Sequence, residues 1–332
     1  MTHKIGIVLS GGGGKGAYQA GVWKALEEYG ISEKISVFSG TSVGALNAFL
    51  FAQENSEAAI EVWKSVSGDE ILYPRRSHIE NIISFFVSTG LKLSRSVPIF
   101  IAKIVMHGIF SRKGLSSILD RYLNIEKINQ RRRRVYAACT RLLPPKPDYF
   151  LLNEHPHPIA KQILLASSAI PVVFGKETIN GVSYYDGGIL DNTPIAPVYN
   201  EGCNIILTVF LNREDYIDPQ DYPNSKILNI YPKDDPGGFW NGVLDFGNPE
   251  EKIRRGYEDA KRVIQPMYDM AKAQFVTSEV LDHIQEQRRE FENYLVKRDE
   301  LFKDDGNLSQ DIDSLIRTLS DKMKICERGT KS

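Results

Sequence analysis

Ser42 stands between two glycines, Gly40 and Gly44, where an apolar run over residues 35–38 gives way to a helix-forming segment. This order predicts a strand, a sharp turn and a helix. Glycines two residues before and after a serine leave room for a turn that exposes its hydroxyl at the end of the strand. Amides at the start of the helix can stabilise negative charge that develops beside the hydroxyl. The pattern favours a nucleophilic serine, and a glycine-flanked helix cap is the simpler alternative.

Glycines also fill the turn over residues 11–16, whose sequence is GGGGKG. It formally fits the Gly-x-Gly-x-x-Gly pattern of dinucleotide-binding loops, but the acidic residue that would bind the ribose after the second strand is missing. A Walker loop does not fit, because Lys15 precedes a glycine and Leu9 occupies the place of the first glycine. We prefer an oxyanion hole made of successive amides, since sequential strands usually lie side by side and would bring this turn next to Ser42.

Asp186 is the preferred candidate for a base that would activate the serine. It follows a β-prone run over 182–185 and precedes Gly187 and Gly188, so it also lies in a glycine-framed turn. A serine hydroxyl needs a base within about 2.6–3.2 Å. None of the six histidines lies in such a turn; they are His3, His78, His107, His155, His157 and His283. The simpler alternative is a turn aspartate that caps its own backbone.

These three segments, in this order, resemble the three signature motifs of the patatin-like phospholipases. The resemblance extends to residues 166–171, 192–194 and 244–246, and so covers about residues 4–260. It implies that Ser42 is the nucleophile and that Asp186 is its base. The sequence requires no metal, and we expect no cofactor. The basic position of the glycine loop falls on Lys15, for which a solvated lysine at a helix start is the alternative. The resemblance assigns the oxyanion hole to Gly11, Gly12, Gly13, Gly14, Lys15 and Gly16, with its centre at Gly12 to Gly14, the elbow to Gly40 and Gly44, and the base loop to Gly187 and Gly188.

The elements around these segments alternate between strand and helix patterns. They predict an α/β fold, a three-layer α/β/α arrangement with a mainly parallel central sheet and a C-terminal helical extension. In such a sheet the site lies at the carboxyl ends of the strands. We predict a catalytic domain over residues 1–272 and an extension over 273–332, made of two amphipathic helices separated at 304–307. The extension is expected to pack on the catalytic domain, to mediate self-association or to bind an activator.

The segment over residues 71–134 combines thirteen basic residues with only three acidic ones, and apolar runs lie between them. This pattern favours a lid or membrane-facing insertion on an anionic bilayer, and ordinary core helices with a solvated basic face are the alternative. The arginine run 131–134 at its end could contact nucleic acid. Because a strand follows it, a solvated strand edge or a phosphate contact is the preferred interpretation.

The composition limits the classes of protein. With 41 basic and 42 acidic residues among 332, no global charge argues for nucleic acid. Cys139, Cys203 and Cys326 are far apart, which indicates a reducing compartment without a disulfide framework or a zinc site. The apolar run 5–9 is too short for a signal peptide, and no run is long enough to predict a transmembrane helix. We expect a cytoplasmic protein that associates peripherally with membranes.

Together these observations predict a lipid acyl hydrolase of the phospholipase A or lysophospholipase type, with a phospholipid membrane surface as its substrate and partner. A Ser42–Asp186 dyad and the glycine loop would release fatty acids. An acyltransferase or a neutral-lipid esterase with the same dyad is the alternative within this chemistry. A non-catalytic membrane-binding or nucleotide-binding module is a more distant alternative.

Overall fold

The computed structural model describes residues 3–53, 55–66, 73–74, 110–171, 173–213, 215–233, 244–301 and 308–329. The chain divides into two compact units, Met1–Gln265 and Pro266–Ser332. In the described part of the chain, no helix combines the length and the apolar character needed to cross a bilayer.

Eight of the described strands form one mixed sheet in the first unit. They are β1 (Ile5–Leu9), β2 (Ile35–Thr41), β5 (Arg134–Leu142), β6 (Pro145–Leu151), β7 (Glu177–Ile179), β8 (Val182–Asp186), β9 (Ile205–Val209) and β10 (Lys226–Ile230); β3 (Tyr73–Pro74) and β4 (Phe110–Ser111) pair separately. The order across the sheet is β10-β9-β1-β2-β5-β8-β7, and β6 also pairs with β5. The strands from β10 to β5 are parallel, whereas β6, β7 and β8 are antiparallel. The predicted α/β fold is confirmed.

Helices follow most of the parallel strands. They are α1 (Ala17–Glu28), α2 (Val43–Gln53), α3 (Ser56–Ser65), α4 (Lys113–Tyr122), α5 (Ile125–Gln130), α6 (His157–Ser167), α7 (Ile195–Asn200), α8 (Pro249–Leu301) and α9 (Leu308–Gly329). Asparagine caps begin two of them: the Asn55 side chain accepts a hydrogen bond from the Ala58 amide, and the Asn124 side chain accepts one from the Lys127 amide, both at 3.0 Å. Each cap satisfies an amide that has no partner within its helix.

Both faces of the sheet are covered, because side chains alternate along each strand. On β1, Ile7 and Leu9 join the larger core with α1, α2 and α6. Val8, between them, joins a smaller core with Ile195 and Val198 of α7 on the opposite face. This arrangement gives the predicted three layers and explains why β1 is a nearly continuous apolar run.

Helix α8 crosses residue 273, where the sequence analysis begins the C-terminal extension. The structure has one helix through this region, and Pro266 lies inside it. Its first turns pack closely on α1: a Cβ on Gly256 would lie 1.9 Å from the Tyr18 carbonyl oxygen. The Tyr18 hydroxyl donates a hydrogen bond to Asp259 at 3.1 Å. The predicted domain boundary at 272 and the predicted roles of the extension stay predictions.

Most of the predicted insertion over residues 71–134 lies outside the described residues, so its role as a lid or membrane-facing segment stays a prediction. Arg133, at its end, contradicts the expected solvated strand edge, since only 3% of its side chain is exposed. Its guanidinium donates hydrogen bonds to the carbonyl oxygens of Phe51, at 3.0 Å, and Ala52, at 3.3 Å. These carbonyls belong to the last turn of α2, which has no intrahelical donors for them. The prediction was wrong for Arg133 because this arginine caps a neighbouring helix.

Candidate active site

The turn between β2 and α2 holds Ser42 in a left-handed backbone conformation, with φ of 55°. Its two glycines are required by backbone contacts. A Cβ on Gly40 would lie 2.2 Å from the Gly44 carbonyl oxygen, and a Cβ on Gly44 would lie 2.1 Å from the Leu9 carbonyl oxygen. Backbone atoms cannot move aside as a flexible side chain can, so the Gly-x-Ser-x-Gly spacing is a steric requirement of this turn.

Strand β5 brings Asp186 to Ser42, although 144 positions separate them in the chain. Ala138 of β5 pairs with Thr41 at the end of β2, and the next residue, Cys139, pairs with Asp186 at the end of β8. The two turns therefore lie at the same level of the sheet, one on each side of β5. Gly187 fits here because a Cβ on it would lie 2.5 Å from the Ala138 carbonyl oxygen.

One short segment at the end of α6 holds both turns. The Ser42 amide donates a hydrogen bond to Ser167 Oγ at 3.0 Å, and the Asp186 amide donates one to the Ala169 carbonyl oxygen at 3.0 Å. The sequence analysis assigned no role to Ser167. The only signal was that residues 166–171 belong to the family resemblance.

The Asp186 carboxyl group is buried and incompletely paired. Its Oδ1 accepts a hydrogen bond from the Gly188 amide at 2.8 Å, whereas among the described residues Oδ2 has no hydrogen-bond partner. Burial raises the pKa of Asp186 to about 6, and the Ser42 hydroxyl, the Gly188 amide and the charge of Arg112 each oppose that rise in pKa. The hydroxyl is therefore near the carboxylate, although the two groups do not form a hydrogen bond of ordinary geometry.

The charge of Arg112 reaches Asp186 from a nearly buried position. Its guanidinium donates hydrogen bonds to the carbonyl oxygens of Leu165 and, at 2.8 Å, of Gly175. It also forms an ion pair with Glu177 at 3.2 Å. One side chain thus joins the end of α6 to the start of β7, on either side of the segment that holds Ser42 and Asp186. The sequence analysis counted this arginine only among the charges of the predicted insertion.

The glycine loop lies directly beside the serine turn. A Cβ on Gly11 would be 3.3 Å from Ser42 Cβ, and Gly13, with φ of 54°, lines the same cavity as Ser42. The Gly11 amide donates to the Asn192 carbonyl oxygen at 3.1 Å, and the Lys15 amide donates to the Gly12 carbonyl oxygen at 3.2 Å. Among the hydrogen bonds of the described residues, none uses the amides of Gly12, Gly13 or Gly14.

The other predicted members of the loop have packing or anchoring contacts. A Cβ on Gly14 would lie 2.0 Å from the Asp245 carbonyl oxygen, and a Cβ on Gly16 would lie 2.3 Å from a Val43 methyl group. The Lys15 ammonium donates a hydrogen bond to the Asn212 side chain at 2.8 Å. The side chain of Lys15 is therefore bound to the segment that follows β9.

A buried amide network supports the loop from behind. The Gln19 side chain donates to the Ser10 carbonyl oxygen at 2.9 Å and accepts from the Asn47 side chain at 2.8 Å. Asn47 also donates to the Gly16 carbonyl oxygen at 3.0 Å and accepts from the Trp63 indole at 2.9 Å. Both ends of the loop are thereby tied to α1, α2 and α3. The sequence analysis missed this network, because no local motif marks it.

Ser42 and Gly13 line an almost wholly apolar cavity. Ser168 is also at its lining, and the apolar side chains around it come from α2, α3, α4 and two loops. Representative members are Leu46, Leu50, Val62, Trp63, Leu115, Leu119, Ile170, Phe174, Leu244 and Phe246.

These features place the protein among α/β proteins in which a serine in a strand–turn–helix motif lies beside a buried aspartate and lines an apolar cavity. Residues 7–199 match the model of the family described as Patatin-like phospholipase. The protein belongs to that family.

Similar proteins include two fungal lysophospholipases. The chain is 27% identical to Lysophospholipase nte1 of Aspergillus terreus over 263 residues, which cover 76% of this chain and 14% of that protein. It is 26% identical to Lysophospholipase NTE1 of Eremothecium gossypii, over 75% of this chain and 14% of that protein. The chain thus spans about one seventh of the length of these relatives. Among solved structures, VipD from Legionella pneumophila aligns with a TM-score of 0.48 and 15% identity, over 80% of this chain and 67% of that one.

Proposed function

We propose that this protein hydrolyses the acyl ester bonds of phospholipids or lysophospholipids, with Ser42 as nucleophile and Asp186 as base. The observation that carries the proposal is the buried Ser42–Asp186 pair, whose serine lines an apolar cavity. Such a cavity matches a fatty acyl chain, since burial of each methylene group is worth about 0.8 kcal/mol. The family and the names of the similar fungal proteins support a phospholipid class of substrate.

In the first half-reaction, Ser42 Oγ attacks the ester carbonyl carbon while its proton passes to Asp186 Oδ2, the carboxylate oxygen without a partner. The carbonyl oxygen becomes an oxyanion, and the amides of Gly12, Gly13 and Gly14 are the candidate donors to it. The proton then moves from Asp186 to the leaving alcohol as the ester C–O bond breaks, which leaves Ser42 acylated.

In the second half-reaction, water attacks the acyl-serine carbonyl and Asp186 accepts a proton from it. Collapse of the tetrahedral intermediate releases the fatty acid and returns the proton to Ser42 Oγ. Asp186 can act in both steps because burial brings its pKa close to neutrality, where it both accepts and returns a proton readily. We further propose that the protein attaches peripherally to membranes, where its lipid substrate lies. A reducing, cytoplasmic compartment is proposed because Cys139 and Cys203 are buried free thiols.

The test is release of fatty acid from phosphatidylcholine vesicles and from lysophosphatidylcholine. Wild-type protein is compared with Ser42→Ala, Asp186→Ala and the matched control Ser39→Ala. Ser39 is a fully buried serine three residues away whose hydroxyl has no hydrogen-bond partner among the described residues, so its removal should leave activity intact. We expect both dyad variants to fall to background while they remain folded. Release by Ser42→Ala at the wild-type rate would exclude the proposed nucleophile.

A further inference from the structure

The described residues of the first unit expose few large apolar side chains. They are Leu143, Ile189, Leu190, Tyr216 and Leu244. Leu143 is the most exposed, at 85%. Single exposed apolar residues are ordinary on a protein surface and carry no meaning by themselves. Their common position in the fold is what distinguishes these five.

Leu143 lies at the tip of the hairpin formed by β5 and β6, where Leu142 pairs with Pro145. It is five residues beyond Ala138, the β5 residue that pairs with Thr41 beside the nucleophile turn. At about 3.3 Å per residue, the tip projects roughly 16 Å past that turn, in the direction in which β2 ends. The hairpin therefore extends from the edge of the sheet that carries the active site.

The other four residues lie in loops at the same edge. Ile189 and Leu190 precede Asp191, whose carbonyl oxygen accepts a hydrogen bond from the Thr41 hydroxyl at 2.8 Å. Leu244 precedes Asp245, which packs on Gly14 of the glycine loop. Tyr216 follows Asp215, whose carboxylate accepts a hydrogen bond from the Asn192 side chain at 3.3 Å. Asn192 in turn accepts from the Gly11 amide.

The opposite edge of the sheet has a different surface. At the amino ends of the strands, Glu201 pairs with Lys4 at 3.1 Å and with Arg134 at 2.7 Å. Lys34, just before β2, is exposed there. Ion pairs also occur at the active-site edge, where Lys252 pairs with Asp245 at 3.0 Å. Among the described residues of the first unit, the two edges therefore differ in their exposed large apolar side chains, which lie at the active-site edge.

We propose that Leu143, Ile189, Leu190, Tyr216 and Leu244 form a rim that inserts into the surface of a phospholipid bilayer. This proposal rests on the proposed function, which requires an acyl chain to enter from that edge. Exposed apolar residues on separate turns suit a deformable lipid surface, whereas a protein partner would need a continuous complementary patch. Since the contacts are apolar, binding should depend little on salt.

The first experiment reports which edge meets the lipid. Tryptophan is placed at the tip by Leu143→Trp and, as a matched control, at the opposite edge by Lys34→Trp, and the wild-type emission is subtracted. With phosphatidylcholine vesicles containing brominated acyl chains, we expect a blue shift and quenching for Leu143→Trp, unchanged in 0.5 M NaCl, and neither change for Lys34→Trp. Equal quenching at both positions, or none at the tip, would overturn the rim.

The second experiment separates the rim from the chemistry. Leu143→Ser, combined with Tyr216→Ser, should lower vesicle binding and vesicle hydrolysis by roughly tenfold per residue. The same variant should hydrolyse a monomeric short-chain ester at the wild-type rate, because neither residue touches the Ser42 cavity. If this double variant hydrolyses vesicles at the wild-type rate, insertion of the rim into the bilayer is refuted and the proposed function is unaffected. By contrast, monomeric ester hydrolysis that survives Ser42→Ala would refute the proposed function alone.

Discussion

The turns that carry Ser42 and Asp186 lie on either side of β5, yet each is held under a different kind of stress. Ser42 has a left-handed φ of 55°, and the flanking glycines touch backbone atoms. Asp186 has an ordinary φ of −48°, but its carboxyl group is buried with Oδ2 unpaired among the described residues. The first turn has an unfavourable backbone conformation. The second contains a carboxyl group whose ionised form is destabilised by burial.

Because the causes differ, different substitutions should stabilise the two turns. Strain in a backbone is relieved by glycine and worsened by any added Cβ, whatever the charge. Strain from a buried carboxylate is relieved by removal of its charge, whatever the backbone. Each turn should therefore have one substitution that destroys the proposed activity and at the same time stabilises the fold.

Ser42→Gly should have the largest effect on activity. Loss of a nucleophile costs at least about 10³-fold in rate. The same change should raise the free energy of unfolding by about 1 kcal/mol, because glycine adopts the left-handed conformation without penalty. Vesicle hydrolysis and urea unfolding measure the two effects, with Ser42→Ala as the control that loses activity without this gain in stability. If the free energy of unfolding of Ser42→Gly is no higher than that of Ser42→Ala, the turn is not strained.

Asp186→Asn should lower the rate of acyl release by about 10²- to 10⁴-fold, since a neutral amide cannot accept the serine proton. Its stability should rise at pH 7 by roughly 1–3 kcal/mol, because the pKa of the native aspartate is raised from 3.8 to about 6. A raised pKa means that the ionised form destabilises the native state. The gain should therefore be full above pH 6 and disappear as the pH falls below about 4. A gain that does not vary with pH would show that burial of the charge is not its cause.

Gly44→Ala should mainly damage the fold. The new Cβ would lie 2.1 Å from the Leu9 carbonyl oxygen, and both groups belong to packed backbone. We expect a loss of about 3 kcal/mol or more in the free energy of unfolding. Gly12→Ala is the comparison, because its Cβ would meet only side-chain atoms of Leu211, at 2.8 Å, and the loss should be smaller. Thermal or urea unfolding of both variants tests whether Gly44→Ala loses more stability than Gly12→Ala.

The pH dependence of hydrolysis tests whether the buried carboxylate of Asp186 is the base. If Asp186 is the base, kcat/KM should be constant above its pKa of about 6 and fall tenfold per pH unit below it. The measurement is hydrolysis of a monomeric ester between pH 4.5 and 8. A profile still level at pH 4.5 would mean that the essential base is not a buried carboxylate.

Arg112→Lys should have the smallest effect on the rate of hydrolysis. This variant tests whether Arg112 positions the segment that holds Ser42 and Asp186. Lysine keeps the positive charge but cannot hold the carbonyl oxygens of Leu165 and Gly175 together, so the rate should fall by about tenfold as the loop loosens. Arg133→Lys is the matched control, because Arg133 is a still more buried arginine that also holds backbone carbonyls, but on α2. It should lose stability and keep its rate. Equal rate losses in the two variants would point to a general packing effect.

Local patterns predicted the fold class, the strand–turn–helix around Ser42 and the glycine turn before α1. These features depend on residues close together in the chain, where glycine, apolar periodicity and turn chemistry act directly. Ser167 and the Gln19–Asn47 network were missed because their partners are distant in sequence and carry no motif. Arg133 was misjudged for the same reason, since its neighbours in the chain are exposed and its contacts are not.

Local sequence predicts the candidate groups of the site: a serine and an aspartate in turns that require glycine, and a loop rich in backbone amides. That the serine and the aspartate lie close together follows from strand pairing, because β5 pairs with β2 on one side and with β8 on the other. Tertiary structure also decided the properties of Asp186, whose raised pKa comes from burial by residues far away in the chain. Backbone sterics act over a few residues and can be read along the chain. Desolvation and strand pairing depend on the whole fold.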